Sequence, residues 1–133
     1  MKKVLFVCIE NARRSQMSEA LFNKLAKGHA VAVSAGDRPS SKVDPKAIEV
    51  MKEIGIDITN RRPQSLTLKM MKEADVVVAM GCGADVCPVI PKRVDEWQIE
   101  DPAGKSMQTF RKVRNEIRGR VEKLVETLKN AER

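Results

Sequence analysis

The chain has 133 residues, a formal net charge of +7, 42 % apolar and 32 % charged residues, the balance of one globular domain spanning 1–133 with a sizeable core. No apolar run approaches the ~20 residues of a membrane-spanning helix. Three Phe, one Trp and no Tyr offer little for base stacking, so the basic charge suits a small anionic substrate at least as well as nucleic acid.

The start, MKKVLFVCIE, is basic and then apolar like a secretory signal, but its apolar stretch of about seven residues runs into Glu10 and two arginines instead of a small-residue cleavage site. The expectation is a mature, monomeric cytoplasmic protein that engages neither membrane nor nucleic acid. Residues 3–8 (KVLFVC) are rich in β-formers and predict a buried strand. Ser15 to Lys27 places Met17, Ala20, Leu21 and Leu25 at helical spacing. His29 to Ala35 reads as a second strand ended by Gly36. Asp44-Pro45 supplies an N-cap and a proline at the first helical position. Ala47, Ile48, Met51 and Ile54 form that helix's apolar face, and Gly55 stops it. A helix around 66–73 precedes ADVVVAM (74–80), a strand-like run bounded by Gly81. Residues 93–98 are a weaker strand candidate. From Ser106 on, Met107, Phe110, Val113, Ile117, Val121, Leu124 and Leu128 mark one face of a long terminal helix.

Strands and helices that alternate, with near-continuous apolar strands, predict an α/β three-layer sandwich: a parallel sheet covered by helices on both faces. Ligands in such folds bind beyond the carboxyl ends of the strands. Cys8 ends the first strand, Cys82 follows the third and Asp101 follows the fourth, so all three can gather at one edge.

The eight residues CIENARRS (8–15) join strand to helix. A turn entering a helix leaves backbone N–H groups without partners, and these can point at an anion. Ile9, Glu10, Asn11, Ala12, Arg13 and Arg14 therefore form a candidate oxyanion loop, with Arg14 as a bidentate clamp. The same amides, the helix dipole and the guanidinium favour the thiolate of Cys8, the reactive form. Ser15 can donate to the sulfur, and Asn11 tolerates positive φ. By composition a Cys-x5-Arg among three cysteines arises roughly one time in four, and adding Ser cuts this to about 1 %. The competing reading is a buried cysteine at a strand end. For Arg13 and Glu10 the expectation is that their charges face solvent.

Three cysteines in a chain of this kind do not suggest structural disulfides. A zinc site has little support, because His29 is the one histidine and Cys-x4-Cys lies at the edge of ligand spacing. No metal or other cofactor is expected.

CIENARRSQMSEA closely resembles the active-site loop of the low-molecular-weight protein tyrosine phosphatase fold, and more narrowly that of the thioredoxin-coupled arsenate reductases built on it. The likeness extends through SAGDRP, MKEIGIDI, ADVVVAMGC, EDPAG and the terminal helix. It implies a four-stranded sheet of order 2-1-3-4, Cys8 as nucleophile, Arg14 as oxyanion clamp and Asp101 as general acid. Asp101 also has a rationale of its own, since a departing hydroxide needs a proton and a nearby carboxylic acid can supply it. Asp-Pro as a simple turn former is the alternative.

A phosphatase uses one thiol, whereas reduction of As(V) takes two electrons, which two thiols supply on becoming a disulfide. With three, Cys8 attacks arsenic, Cys82 attacks Cys8 and releases arsenite, and Cys87 attacks Cys82, leaving a Cys82–Cys87 disulfide for a reductant to reopen; the resemblance implies thioredoxin or a similar dithiol as that reductant. A phosphatase acting on phosphotyrosine or small phosphoesters is the second expectation, and a non-catalytic oxyanion or redox sensor the third. Disulfide Cα atoms lie within ~7 Å, but five helical residues rise ~7.5 Å. A continuous helix through CGADVC is thus incompatible with the bridge, and Gly81, Gly83 and Pro88 suit a loop over 81–90 that moves between redox states. The spacing of Cys82 and Cys87 is shorter than in the reductases it resembles. Asn11, Glu19 and Ser34 match part of a monovalent-cation site of some relatives, but Arg62 and Gln64 stand where it would be completed, so no cation is assigned.

Overall fold

A computed structural model describes residues 1–81 and 93–131, with Arg93 described by its backbone alone. Four strands, β1 (Lys2–Cys8), β2 (Ala30–Gly36), β3 (Val76–Ala79) and β4 (Arg93–Glu96), form one parallel sheet of order β2-β1-β3-β4. Four helices accompany them: α1 (Arg14–Leu25), α2 (Pro45–Lys52), α3 (Leu68–Glu73) and α4 (Met107–Ala131).

Central β1 pairs on both sides, Val4 with Ala32 and with Val76 for example, and Val4 to Cys8 are all buried. That is why its sequence is a run of apolar residues without polar alternation. Its side chains still divide by parity. Val4, Phe6 and Cys8 join Met17, Leu21 and Phe22 of α1, Val50 and Met51 of α2 and Phe110, Ile117 and Val121 of α4 in the main core. Leu5 and Val7 point the other way, to Ala35, Val77, Ala79 and Met71 of α3. Helices do lie on both faces, but unequally: α1, α2 and α4 cover one, and short α3 with neighbouring loops covers the other.

The expected elements are present with their ends shifted. Asp44 caps α2, accepting from Lys46 N at 2.9 Å, and Thr67 caps α3, accepting from Met70 N at 3.1 Å; both are ordinary N-cap bonds. The fourth strand ends at Glu96, two residues earlier than expected, although Trp97 N still donates to Ala79 O at 2.9 Å. Trp97 instead turns into the core against Phe6, ring centroids 5.6 Å apart. Arg114 on α4 is buried because it bridges to α2, donating to Val50 O (2.9 Å) and Glu53 Oε1 (2.7 Å). Among the described residues no helix is long and apolar enough to cross a membrane.

The β1–α1, β2–α2 and β4–α4 connections all leave the carboxyl edge of the sheet, so residues 9–13, 37–44 and 97–106 meet there.

Candidate active site

Residues 9–13 wrap the N-terminus of α1, and their backbone is set by neighbours. The carbonyls of Ile9, Glu10 and Ala12 accept from Arg38 N (2.8 Å), Ser40 N (3.0 Å) and Asp44 N (3.0 Å). In a trans peptide the next N–H points opposite to the carbonyl, so the amides of Glu10, Asn11 and Arg13 turn away from the 38–44 segment. No hydrogen bond among the described residues takes them. Arg13, the N-cap residue of α1, provides no side-chain cap. The helix end is therefore open to an exogenous anion.

Gly36 makes this wrapping possible. A Cβ there would lie 2.6 Å from Ile9 O and 2.9 Å from Asn11 N, both backbone atoms, so glycine is required by close approach. Asn11 is left-handed, at φ 52, as its loop position demanded, and wholly buried. Its Oδ1 accepts from Gln16 Nε2 (3.1 Å) and Gln64 N (3.0 Å), while its Nδ2 donates to Ser15 Oγ (2.7 Å) and Ser34 Oγ (3.0 Å).

That network orients Ser15. Its hydroxyl lies 2.8 Å from Cys8 Sγ. Because the Asn11 amide, a donor, already occupies a lone pair on Ser15 Oγ, the serine proton is free for the sulfur. Ser15 thus donates to Cys8 Sγ.

Arg14 is buried and its Nη1 donates to Ile99 O at 3.0 Å. Its Nη2 stands 3.6 Å from Asp101 Oδ2. Gly81, at φ +74, lies against the same guanidinium: a Cβ would come within 2.6 Å of Arg14 Nη1. Cys8, Glu10, Ala12, Arg13, Arg14 and Asp101 line one hollow of ≈ 170 Å³. Two guanidiniums beside the thiol suit this hollow to a small anion.

Cys8, Ser15, Arg14 and Asp101, named from the sequence, are therefore brought together, with Ile9 at the rim, 37 % exposed. Cys82 and Cys87, and the segment expected to move with them, lie outside the described residues apart from Gly81. Arg13 requires a correction. Its side chain is only 12 % exposed, because carboxylates from three segments meet it: Glu10 Oε2 at 2.5 Å, Asp44 Oδ2 at 3.0 Å and Asp101 Oδ1 at 3.5 Å. Burial works against its charge, yet the Asp44 hydrogen bond and the charges of Glu10 and Asp101 prevail and hold its pKa above the ordinary guanidinium value. Glu10 is likewise engaged, its Oε1 accepting from Ser40 Oγ at 2.7 Å.

A second difference concerns the Asn11–Ser34–Glu19 corner. Arg61, which sequence reasoning passed over, forms an ion pair with buried Glu19 and donates to Gln16 Oε1 at 2.9 Å. Partial burial lowers its pKa. The neighbouring Arg62 supplies its carbonyl to Gln16 and Gln64 its backbone N–H to Asn11. Among the described residues, no group of His, Cys, Asp and Glu is placed to hold a metal.

A cysteine at the end of the first strand of a 2-1-3-4 parallel sheet, its loop wrapped on an open helix N-terminus and closed by an arginine and an aspartate, is a layout suited to a small oxyanion beside a thiol. Residues 3–133 match the low molecular weight phosphotyrosine protein phosphatase family, and the chain belongs to it. Within the family its similarity runs to the arsenate reductases. It is 41 % identical to the glutaredoxin arsenate reductase of Synechocystis, over 94 % of this chain and 97 % of that one. A thioredoxin-dependent arsenate reductase from Corynebacterium glutamicum superposes with a TM-score of 0.86 at 33 % identity, over 98 % of this chain, which spans only 63 % of that protein's length. The arginine phosphatase of Geobacillus stearothermophilus superposes equally well, TM-score 0.89, but at 26 % identity, over 98 % of this chain and 95 % of that one. One fold thus carries both chemistries.

Proposed function

We propose that this chain is an arsenate reductase that works by a three-cysteine relay. The observation that carries the oxyanion half is the junction of Cys8, Ser15, Arg14 and Asp101 around one hollow, with the loop amides turned away from the 38–44 segment and taken by no partner among the described residues. Cys8 Sγ, oriented by the Ser15 hydroxyl, attacks the arsenic of arsenate bound by Arg14 and the amides of the 9–13 loop. Asp101 gives its proton to the departing hydroxide, which leaves as water, and a Cys8–arsenic bond forms. Electron bookkeeping then calls on the other two thiols. The Cys82 thiolate attacks Cys8 Sγ; the sulfur–arsenic bond breaks with its electron pair going to arsenic, and arsenite departs. Cys87 attacks Cys82, restores the Cys8 thiolate and leaves a Cys82–Cys87 disulfide.

The oxyanion loop by itself suits a phosphate ester as well as arsenate. Cys82 and Cys87 favour reduction, since hydrolysis through a phosphoenzyme has no use for them. A dithiol protein of the thioredoxin type is the proposed reductant, because the third thiol completes an intramolecular disulfide. The two reductase relatives described above are named for different reductants, so the comparison is direct: arsenate-dependent oxidation should be fast with thioredoxin and slow with glutaredoxin and glutathione. The enzyme is proposed to act as a monomer in the cytoplasm, where such reductants are kept reduced, without a metal or other cofactor.

The test compares wild type with Cys82→Ser and Cys8→Ser. Arsenate turnover should vanish in both, while weak aryl-phosphate hydrolysis should survive only in Cys82→Ser. Loss of both activities in a folded Cys82→Ser would overturn the relay, and arsenate binding without turnover by wild type would favour a sensor.

A further inference from the structure

Arg13 occupies a place in the oxyanion loop where its backbone alone would suffice, yet its side chain is mostly enclosed by a cluster of carboxylates. Its three partners are held unequally. Glu10 is fixed on its other oxygen by Ser40 Oγ at 2.7 Å. Asp44 is fixed by Lys46 N at 2.9 Å as the cap of α2, and its own amide is tied to Ala12 O at 3.0 Å. Asp101 rides on an exposed loop, its side chain 42 % exposed, with a local hydrogen bond from Ala103 N at 3.1 Å. Two anchored carboxylates thus fix the guanidinium, and its remaining nitrogen, Nε, reaches Asp101 at 3.5 Å.

We propose that Arg13 is a positioning residue that holds Asp101 over Cys8, with Glu10 and Asp44 as its fixed supports. The inference rests on Asp101 being the general acid. Arg14 cannot keep this duty through the reaction, because its guanidinium is the one that turns to the incoming oxyanion. Once Arg14 is engaged by substrate, Arg13 is the remaining cation among the described residues in contact with Asp101. The 3.5 and 3.6 Å separations exceed hydrogen-bond length, so charge places the carboxylate over the site without occupying its oxygens, and one of these takes up the proton that is later donated. Arg13 touches no reacting atom in this assignment.

The test is a double-mutant cycle on steady-state arsenate reduction, using Arg13→Gln, Arg13→Lys, Asp101→Asn and the Arg13→Gln/Asp101→Asn pair. General acids contribute ~10²–10⁴-fold, and a displacement of about 1 Å alone can cost ~10²-fold. Arg13→Gln should therefore lower kcat by ~10-fold or more while KM for arsenate changes little, and Arg13→Lys should restore part of it. In the Asp101→Asn background the Arg13 substitution should have no further effect. Asp44→Asn keeps the helix cap but removes the charged support, and should give a smaller loss, again in kcat. Inorganic phosphate binding, read as a thermal shift, should survive in all of these. A full, additive loss in the double mutant, or a loss carried by KM and phosphate binding, would overturn the positioning role while leaving Asp101 in place. An unimpaired Asp101→Asn would instead remove the general acid on which the inference stands.

Discussion

Replacing Gly81 with alanine should disable the enzyme through Arg14, a residue 67 positions away in sequence. Two costs combine. Gly81 sits at φ +74, where an L side chain costs ~1–2 kcal/mol. The new Cβ would also lie 2.6 Å from Arg14 Nη1, well inside van der Waals contact. That nitrogen is pinned to Ile99 O at 3.0 Å, so relief means giving up a charged hydrogen bond of ~1.5–3 kcal/mol and moving the anion clamp. A shift of about 1 Å at a positioning group can cost ~10²-fold in rate. Gly28→Ala is the matched control, since Gly28 has φ +86 with nothing within 4 Å of the added carbon. Both variants should melt at lower temperature, Gly81→Ala more so. Only Gly81→Ala should lose about two orders of magnitude in arsenate turnover and its thermal stabilisation by phosphate. Turnover within about threefold of Gly28→Ala would refute the reasoning, because strain alone would then account for both.

Ser15→Ala removes the proton that the Asn11 network aims at Cys8. Since hydrogen bonds to charged groups are worth ~1.5–3 kcal/mol, alkylation of Cys8 by iodoacetamide at neutral pH and arsenate turnover should each fall ~10–100-fold, with the fold intact by circular dichroism. Gly36→Ala drives a Cβ into the Ile9 carbonyl and Asn11 amide; overpacking of this kind costs ~1–3 kcal/mol, and phosphate should no longer raise the melting temperature. Glu53 has its pKa lowered below 4.5 first by the Arg111 hydrogen bond and then by the one from Arg114. Its contribution to stability is thus present above 4.5 and lost as pH falls through the lowered folded value. Glu53→Gln should therefore lower the midpoint of denaturant unfolding at pH 7 and flatten its acid-side decline, with the two proteins converging at low pH. Phe110 of α4, fully buried in the main core, should cost ~3–5 kcal/mol of unfolding free energy in urea when cut to alanine.

The order in which the chain's information becomes visible follows the range of the interactions involved. Strand β1 is legible because burial on both faces demands an apolar run, and α4 because one buried face demands a 3.6-residue period. Asp44-Pro45 announces its turn through a bond made within two residues. The oxyanion loop is legible for the same reason: Cys8, Asn11, Arg14 and Ser15 fall within eight residues, and the open helix end they need lies in the same stretch. Even the meeting of Cys8 with Asp101 follows from the parallel-sheet topology, which brings the carboxyl ends of all strands to one edge.

Arg13 shows where that reach ends. By composition it is one more solvated charge; its burial comes from Asp44, 31 residues on, and Asp101, 88 residues on. Arg61 likewise acquires its place from Glu19 across the loop, in the corner where Arg62 was the expected occupant. Gly81 reads locally as a strand terminator, and only the packing reveals that its missing side chain leaves room for the Arg14 guanidinium. The sequence by itself determined the elements, the parallel sheet and the chemistry of the loop, because these depend on near neighbours and on periodicity. Tertiary structure alone decided which charges are partners and which glycines are indispensable, because ion pairs and close contacts depend on the distance between segments, and distance across the fold is not written in spacing along the chain.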